Sequence, residues 1–234
     1  FGINAELLID HAWGCESCTI AQIRAYKPQS SSLGCGQVLP CPYTADKARI
    51  VVQEMIDGIS LELVEKRLVT DQLVLTVGYD IENLTRPEIR KVYKGPVTTD
   101  RYGRRVPKHA HGTWNLPRAT SSSSELLEAM AALYDKIVNP ALLIRRMSLS
   151  ACHVVNEKMA KEREQKETFE QLDLFTDYAK KEAKEKEEQK KRERERRMQE
   201  ALLTIKKKYG KNAVLRGMNF EEGATAKERN GQIG

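Results

Sequence analysis

The chain has 234 residues, 40% hydrophobic and 31% charged, with a formal net charge of +6. That is room for one well-packed domain with extensions, or for two small domains. No stretch approaches the ~20 consecutive apolar residues that span a bilayer. No leader peptide is visible, and five cysteines at irregular spacing read as reduced thiols, so the expected compartment is the cytoplasm.

Taken in order, Phe1 to Trp13 reads as a helix, with Ile3, Leu7 and Leu8 at helical spacing and Gly14 as its stop. Because the sequence opens inside that helix, it is expected to be part of a longer polypeptide. Residues 17–32 have linker composition, ending in Lys27-Pro28-Gln29-Ser30-Ser31-Ser32. A first strand covers Leu33 to Leu39, where Gly34 and Gly36 on one face suggest that another backbone or a phosphate comes close. Thr44-Ala45-Asp46 then begins a helix carrying Ile50, Val51, Met55, Ile56, Leu61, Leu63 and Val64, with Gly58 a possible kink.

Val69 to Asp80 is the second strand, with Leu73, Leu75, Val77 and Tyr79 on one face. Residues 81–110 have no clear periodicity. His111 to Thr120 forms the third strand, with Trp114 and Leu116 inward. Ser121–Ser124 cap the next helix, Ser122 and Glu125 having capping-box spacing, and that helix stops at Asn139-Pro140. The last strand, Ala141 to His153, sorts its residues by alternation: Met147, Leu149 and Ala151 face one way, Arg146, Ser148 and Ser150 the other. The order is β-α-β-β-α-β, an α+β fold in which two helices cover one face of a four-stranded sheet. The other face is expected to stay open and to present Gly34, Gly36, Arg146, Ser148 and Ser150, with Arg118 and Thr120 near a strand end.

Charge is unevenly spread. Between Ile89 and Arg118 eight bases face a single acid, Asp100, which favours a polyanionic partner. From Lys158 to Lys208 the sequence is dominated by Lys, Arg and Glu, and Lys180–Arg197 holds ten bases against six acids. Pairs such as Glu187 and Lys191 at i,i+4 support a solvated helix of roughly 75 Å if it is continuous. An apolar island lies within this stretch, Gln171-Leu172-Asp173-Leu174-Phe175. Gly210 ends the helix, and the segment after it is expected to be flexible. Cys15, Cys18, Cys35 and Cys41 brush the spacing of a zinc site, but the second pair is too widely spaced for a zinc ribbon, and no metal is expected. His11, His109, His111 and His153 read as structural or solvated. Asp80 and Glu82 form a D-x-E pair that ends a strand, a poor setting for metal ligands.

Together these parts resemble the Y-family translesion DNA polymerases, most closely the UmuC-like members. Ala5-Glu6-Leu7-Leu8 with Asp10-His11-Ala12-Trp13-Gly14 resembles the last thumb helix, in 1–16, and the β-α-β-β-α-β unit, at 33–156, resembles the little finger. Ile144-Arg145-Arg146-Met147-Ser148-Leu149-Ser150 is similar to its closing strand. QLDLF, within the charged extension 157–209, is similar to the short motif that binds the sliding clamp. Lys208-Tyr209-Gly210-Lys211-Asn212 and Arg229-Asn230-Gly231-Gln232-Ile233-Gly234, in the flexible tail 210–234, resemble the end of such chains.

The resemblance implies the C-terminal part of a polymerase of DNA repair and the SOS response, its partners primer–template DNA and the sliding clamp. It implies that Ser32, Gly34, Gly36, Arg118, Thr120, Arg145, Arg146 and Ser148 meet the DNA backbone and that Gln171, Leu172, Asp173, Leu174 and Phe175 enter the clamp. It also implies that the catalytic carboxylates and their magnesium ions belong to a palm upstream of Phe1, so that this chain holds no cofactor and does not polymerise. A non-enzymatic RNA-binding module with an open sheet face is the alternative, and would call for aromatic residues on that face. A coiled-coil scaffold fails for want of apolar heptads.

Overall fold

The computed structural model describes residues 4–26, 31–100, 102–160, 162 and 178–231, side chains of 4 and 178–185 excepted. It comprises two compact units, Phe1–Ser31 and Ser32–Gly234.

The smaller unit holds α1 (Asn4–Ala12) and a second helix, α2 (Ile20–Ala25), where a linker was expected. The signal for α2 is a capping box: the Thr19 hydroxyl accepts from the Gln22 amide, and the Gln22 side chain accepts from the Thr19 amide at 2.8 Å. A helix of six residues is too short to show an apolar period, so only the caps mark it. Gly14, at φ +77°, closes α1 in a conformation that suits glycine.

The larger unit is built on a four-strand path, β1 (Leu33–Tyr43), β2 (Leu68–Tyr79), β5 (Ala110–Thr120) and β6 (Ile144–Cys152), in spatial order β1-β6-β2-β5 with every neighbour antiparallel. A two-residue strand, β7 (Val155–Asn156), also pairs with β2. The helices α3 (Ala45–Lys66) and α6 (Ser123–Ile137) pack together on one face, as expected of an α+β layer pair. The core between them is dry and aliphatic: Leu73, Leu75 and Leu149 from the sheet meet Ile56, Leu63 and Met130 from the helices, all at most 2% exposed. Gly58 does not break α3, and the helix ends at Arg67, which takes the left-handed conformation of a C-cap.

β1 runs four residues further than its pattern indicated, through Pro40 and Pro42. The sheet order explains this: β1 is an edge strand, where a residue lacking N–H leaves no ladder partner unsatisfied. The described residues between 81 and 110 are also structured, as α4 (Glu82–Thr85), α5 (Pro87–Val92) and a small hairpin of β3 (Val97–Thr99) with β4 (Arg105–Pro107). Elements of three to six residues carry no readable period. Their anchor is Asn83, fully buried, whose amide NH2 donates to the carbonyls of Asp80 and Leu143 while its oxygen accepts from the Leu143 amide at 2.7 Å.

Beyond β7 the chain turns helical at 157–160, and the long charged helix α7 spans Tyr178–Tyr209, about 48 Å at the usual rise. It is not solvated on all sides. Gln199 is 2% exposed and donates to the Ser121 carbonyl and the Ser123 hydroxyl, Arg196 donates to the Ser121 hydroxyl, and the Glu195 carboxylate accepts from Ser122, Ser124 and the Ser124 amide. The serine run therefore caps α6 through Ser122, whose hydroxyl accepts from the Glu125 amide, and also binds α7. The reciprocal half of the expected capping box is not made, because the Glu125 carboxylate pairs with Arg118 and the Ser122 amide donates to Thr120.

The segment expected to be a flexible tail is instead docked on the domain. Its turns, a 3-10 turn at Gly217–Phe220 and α8 (Ala226–Arg229), converge on Glu54 of α3, which is 3% exposed. One Glu54 oxygen accepts from the Asn219 side-chain NH2 at 2.8 Å, and the other from the Thr225 backbone amide, the Thr225 hydroxyl and the Ala226 backbone amide. Arg216 pairs with Asp57 at 2.7 Å, Arg229 donates to Gln37, and Gln37 donates to Thr225. Composition concealed this because glycine-rich, polar sequence docks through directed hydrogen bonds rather than an apolar stripe. Glu54→Ala is expected to cost about 3 kcal/mol in a urea titration, the scale of lost charge-assisted hydrogen bonds. It should also open Lys211, Arg216 and Lys227 to trypsin, and unchanged cleavage kinetics would refute the clasp.

Candidate nucleic-acid interface

The sheet face opposite the helices is set by alternation and by register. Across it run three rows: Gly34, Ser150, Val74 and Thr113; then Gly36, Ser148, Thr76 and His111; then Val38, Arg146 and Gly78. The side chains are short, the surface is shallow, and the sole cation in these rows is Arg146. His111 Nδ1 and the Thr76 hydroxyl share a hydrogen bond of 2.9 Å, and Gln72 donates to Asn115 at 3.0 Å, so neighbouring strands hold their polar side chains in place.

Each glycine has its own reason. A Cβ on Gly34 would lie 2.9 Å from the Ser150 hydroxyl, so the close approach anticipated there is made by the sheet itself. A Cβ on Gly36 would meet only the Met147 carbonyl, at 3.6 Å, so that glycine leaves exposed backbone open to an incoming group. Gly78 seats Arg146: a Cβ there would lie 2.6 Å from Arg146 Cγ and 2.7 Å from Nε, showing that the side chain lies across this residue.

The two adjacent arginines have different tasks because β6 is irregular between them. Ile144 pairs with Tyr43 and Tyr79, and Arg146 pairs with Val38 and Gly78, so Arg145 is the extra residue of a bulge. Its Nη1 donates to the Pro40 carbonyl at 3.2 Å, and its Nε lies 3.6 Å from the buried Asp80 carboxylate. Arg145 thus ties edge strand β1 to the end of β2, while Arg146 is exposed on the open face.

Of the residues singled out in the sequence, Gly34, Gly36, Arg146 and Ser148 come together on this face, and Ser32 is exposed immediately before β1. Arg118 and Thr120 do not join them. Even-numbered residues of β5 turn toward the helices, so Arg118 pairs with Glu125 of α6 and half-buries there. Thr120 is 7% exposed, and its hydroxyl accepts from the Ser122 amide at the start of α6. Gln171, Leu172, Asp173, Leu174 and Phe175 lie outside the described residues. Thr76, Gly78, Thr113 and Asn115 were legible as the complement of the inward residues of β2 and β5, and His111, read as structural or solvated, is exposed on this face and hydrogen-bonded to Thr76.

Asp80 and Glu82 are both engaged locally. Asp80 Oδ1 accepts from the Glu82 amide at 2.8 Å, and Glu82 pairs with Arg86. Among the described residues no group of three or more His, Cys, Asp and Glu side chains is arranged to hold a metal ion. Cys35 turns half-buried toward the helices, and burial pushes its thiol up from the ordinary value. No helix among the described residues is long and apolar enough to cross a membrane.

The sequence matches no family model and no curated protein. Among solved structures, the chain is similar to a complex of beta-clamp processivity factor and little finger domain of PolIV, at 9% identity and a TM-score of 0.35, over 62% of this chain and all of that one. A likeness this distant carries no functional argument.

The division of labour between the arginines is testable by stability alone. Arg145→Ala leaves the Asp80 carboxylate, 7% exposed, without its cation, and is expected to cost about 1–2 kcal/mol. Arg146→Ala removes an exposed side chain and should stay within about 0.5 kcal/mol. Urea titrations of both variants would show the difference, and equal costs would contradict the assignment.

Proposed function

We propose that this chain is the C-terminal part of a translesion DNA polymerase, in which the open sheet face grips the backbone of primer–template DNA and QLDLF binds the sliding clamp. The observation that carries this reading is the composition of the face itself. Hydroxyls at Ser148, Ser150, Thr76 and Thr113, exposed backbone at Gly36 and one guanidinium at Arg146 are donors suited to phosphate oxygens. Contacts of that kind position a duplex without reading its sequence, which suits an enzyme that works on damaged and variable templates. In such an enzyme magnesium binding and phosphoryl transfer would belong to a palm domain rather than to this open face.

The RNA-binding alternative is disfavoured by the same surface. Single-stranded RNA recognition on an open sheet stacks bases on aromatic side chains. Among the described residues the three rows present no Phe, Tyr or Trp. For the clamp, support comes from sequence: Leu172, Leu174 and Phe175 form a compact apolar group, flanked by Phe169 and Tyr178, between two charge runs, the anchor pattern of a peptide that fills a groove.

Arg146→Gln is expected to weaken binding to duplex DNA and to reduce the slope of log K against log salt by about 0.9, the loss of one phosphate contact. Gly78→Ala should displace the same side chain, so adding it to Arg146→Gln should cost little more. An unchanged salt slope, or full additivity of the two, would defeat the sheet-face reading. Leu174→Ala with Phe175→Ala should abolish capture of this chain by immobilised sliding clamp, and capture equal to wild type would remove QLDLF from the proposal.

A further inference from the structure

The segment between β2 and β5 is the strongest charged patch outside the sheet face. Seven bases stand against one acid between Ile89 and Lys108. In a solvated basic loop that acid would simply lower the net charge. Here Asp100 organises the tip of the β3–β4 hairpin. Its amide donates to the Arg104 carbonyl and its own carbonyl accepts from Gly103, while its carboxylate accepts from the Tyr102 amide, the Arg104 amide and Arg104 Nε, each at 2.9 Å. These donors, the Arg104 amide first among them, hold the carboxyl below the usual carboxylate range, so the tip stays tied at neutral pH. Arg104 is also held 5.1 Å from the centre of the Tyr102 ring.

The base of the hairpin is equally fixed. The Lys108 amide and the Tyr93 hydroxyl both donate to the Pro96 carbonyl at 2.8 Å, Pro107 is buried, and β4 packs against α4 and β2. The chain leaves the hairpin into β5 at Ala110, which pairs with Val77 one residue from Gly78, the seat of Arg146. The hairpin and the cation of the open face therefore belong to the same end of the sheet. Lys91, Lys94, Arg105 and Lys108 are exposed and make no ion pair among the described residues.

We infer that the β3–β4 hairpin is a preformed cationic arm that contacts the phosphate backbone of duplex DNA where it runs off the Arg146 end of the open face, the tip held in shape by Asp100. This rests on the reading of the open face as a DNA-binding surface, and it adds a second, separable contact to it. A rigid arm gains more from each cation than a loop does, because less freedom is lost on binding.

The experiment is fluorescence anisotropy of the full 234-residue chain with a labelled mixed-sequence duplex across a salt series. Arg105→Ala with Lys108→Ala should lower affinity and reduce the salt slope by about 1.8, two phosphates at ~0.9 each. Asp100→Ala is the decisive variant. Removing a negative charge from a purely electrostatic tether would tighten binding to DNA, whereas disordering a preformed arm should weaken it several-fold. Tighter or unchanged binding by Asp100→Ala, or an unchanged slope in the Arg105/Lys108 variant, overturns the arm. If those variants weaken binding while Arg146→Gln does not, the hairpin contacts DNA but the sheet-face reading fails, and with it the placement of the arm at the end of that face; the reverse pattern retires the arm alone.

Discussion

Strand β6 is the constraint from which the rest of the domain follows. It is hydrogen-bonded on both sides, to β1 and to β2, and buries Met147, Leu149 and Ala151 in the core on the face where it packs against α3. A slip of one residue would exchange that apolar set for Arg146, Ser148 and Ser150, burying a guanidinium without a partner. The register of the whole sheet is therefore held by the requirement that this one strand keep its polar residues out of the core. The identity of the open face is a consequence of the same alternation.

The bulge at Arg145 limits how far that alternation extends. One extra residue separates two arginines that are adjacent in sequence and alike in charge, and gives them unrelated surroundings. Arg145 is spent on the sheet's own margin, between the Pro40 carbonyl and Asp80. Arg146 is laid over Gly78 and stays available to solvent. The same end of the sheet carries the buried Asn83, which fixes α4 to the start of β6, and the basic hairpin that follows. At this end of the sheet, positive charge collects where the backbone is irregular, and that backbone is held by specific side-chain hydrogen bonds.

On the opposite side of the domain, polar side chains also do the joining. α7 is attached to the start of α6 through Gln199, Arg196 and Glu195, and the C-terminal segment closes on Glu54. Neither attachment relies on a large apolar patch. Both are built from groups that a charged, glycine-containing sequence has in abundance, once the third dimension brings them opposite a partner.

The β-α-β-β-α-β order, the inward and outward sets of β2, β5 and β6, and the Ser122 cap were legible in the residues themselves, because a period of 2 or 3.6 and a capping pattern are local properties of a chain. So was the excess of positive charge between Ile89 and Lys108. Only the tertiary structure decided that Arg118 and Thr120 belong to the start of α6, that Arg145 braces a bulge while Arg146 remains on the open face, that Asp100 shapes a hairpin, and that Glu54 anchors the C-terminal segment. Each of those depends on a hydrogen bond or ion pair whose partner is chosen by strand register or by the end of a short element. Pairing of that kind leaves no period in a sequence to read.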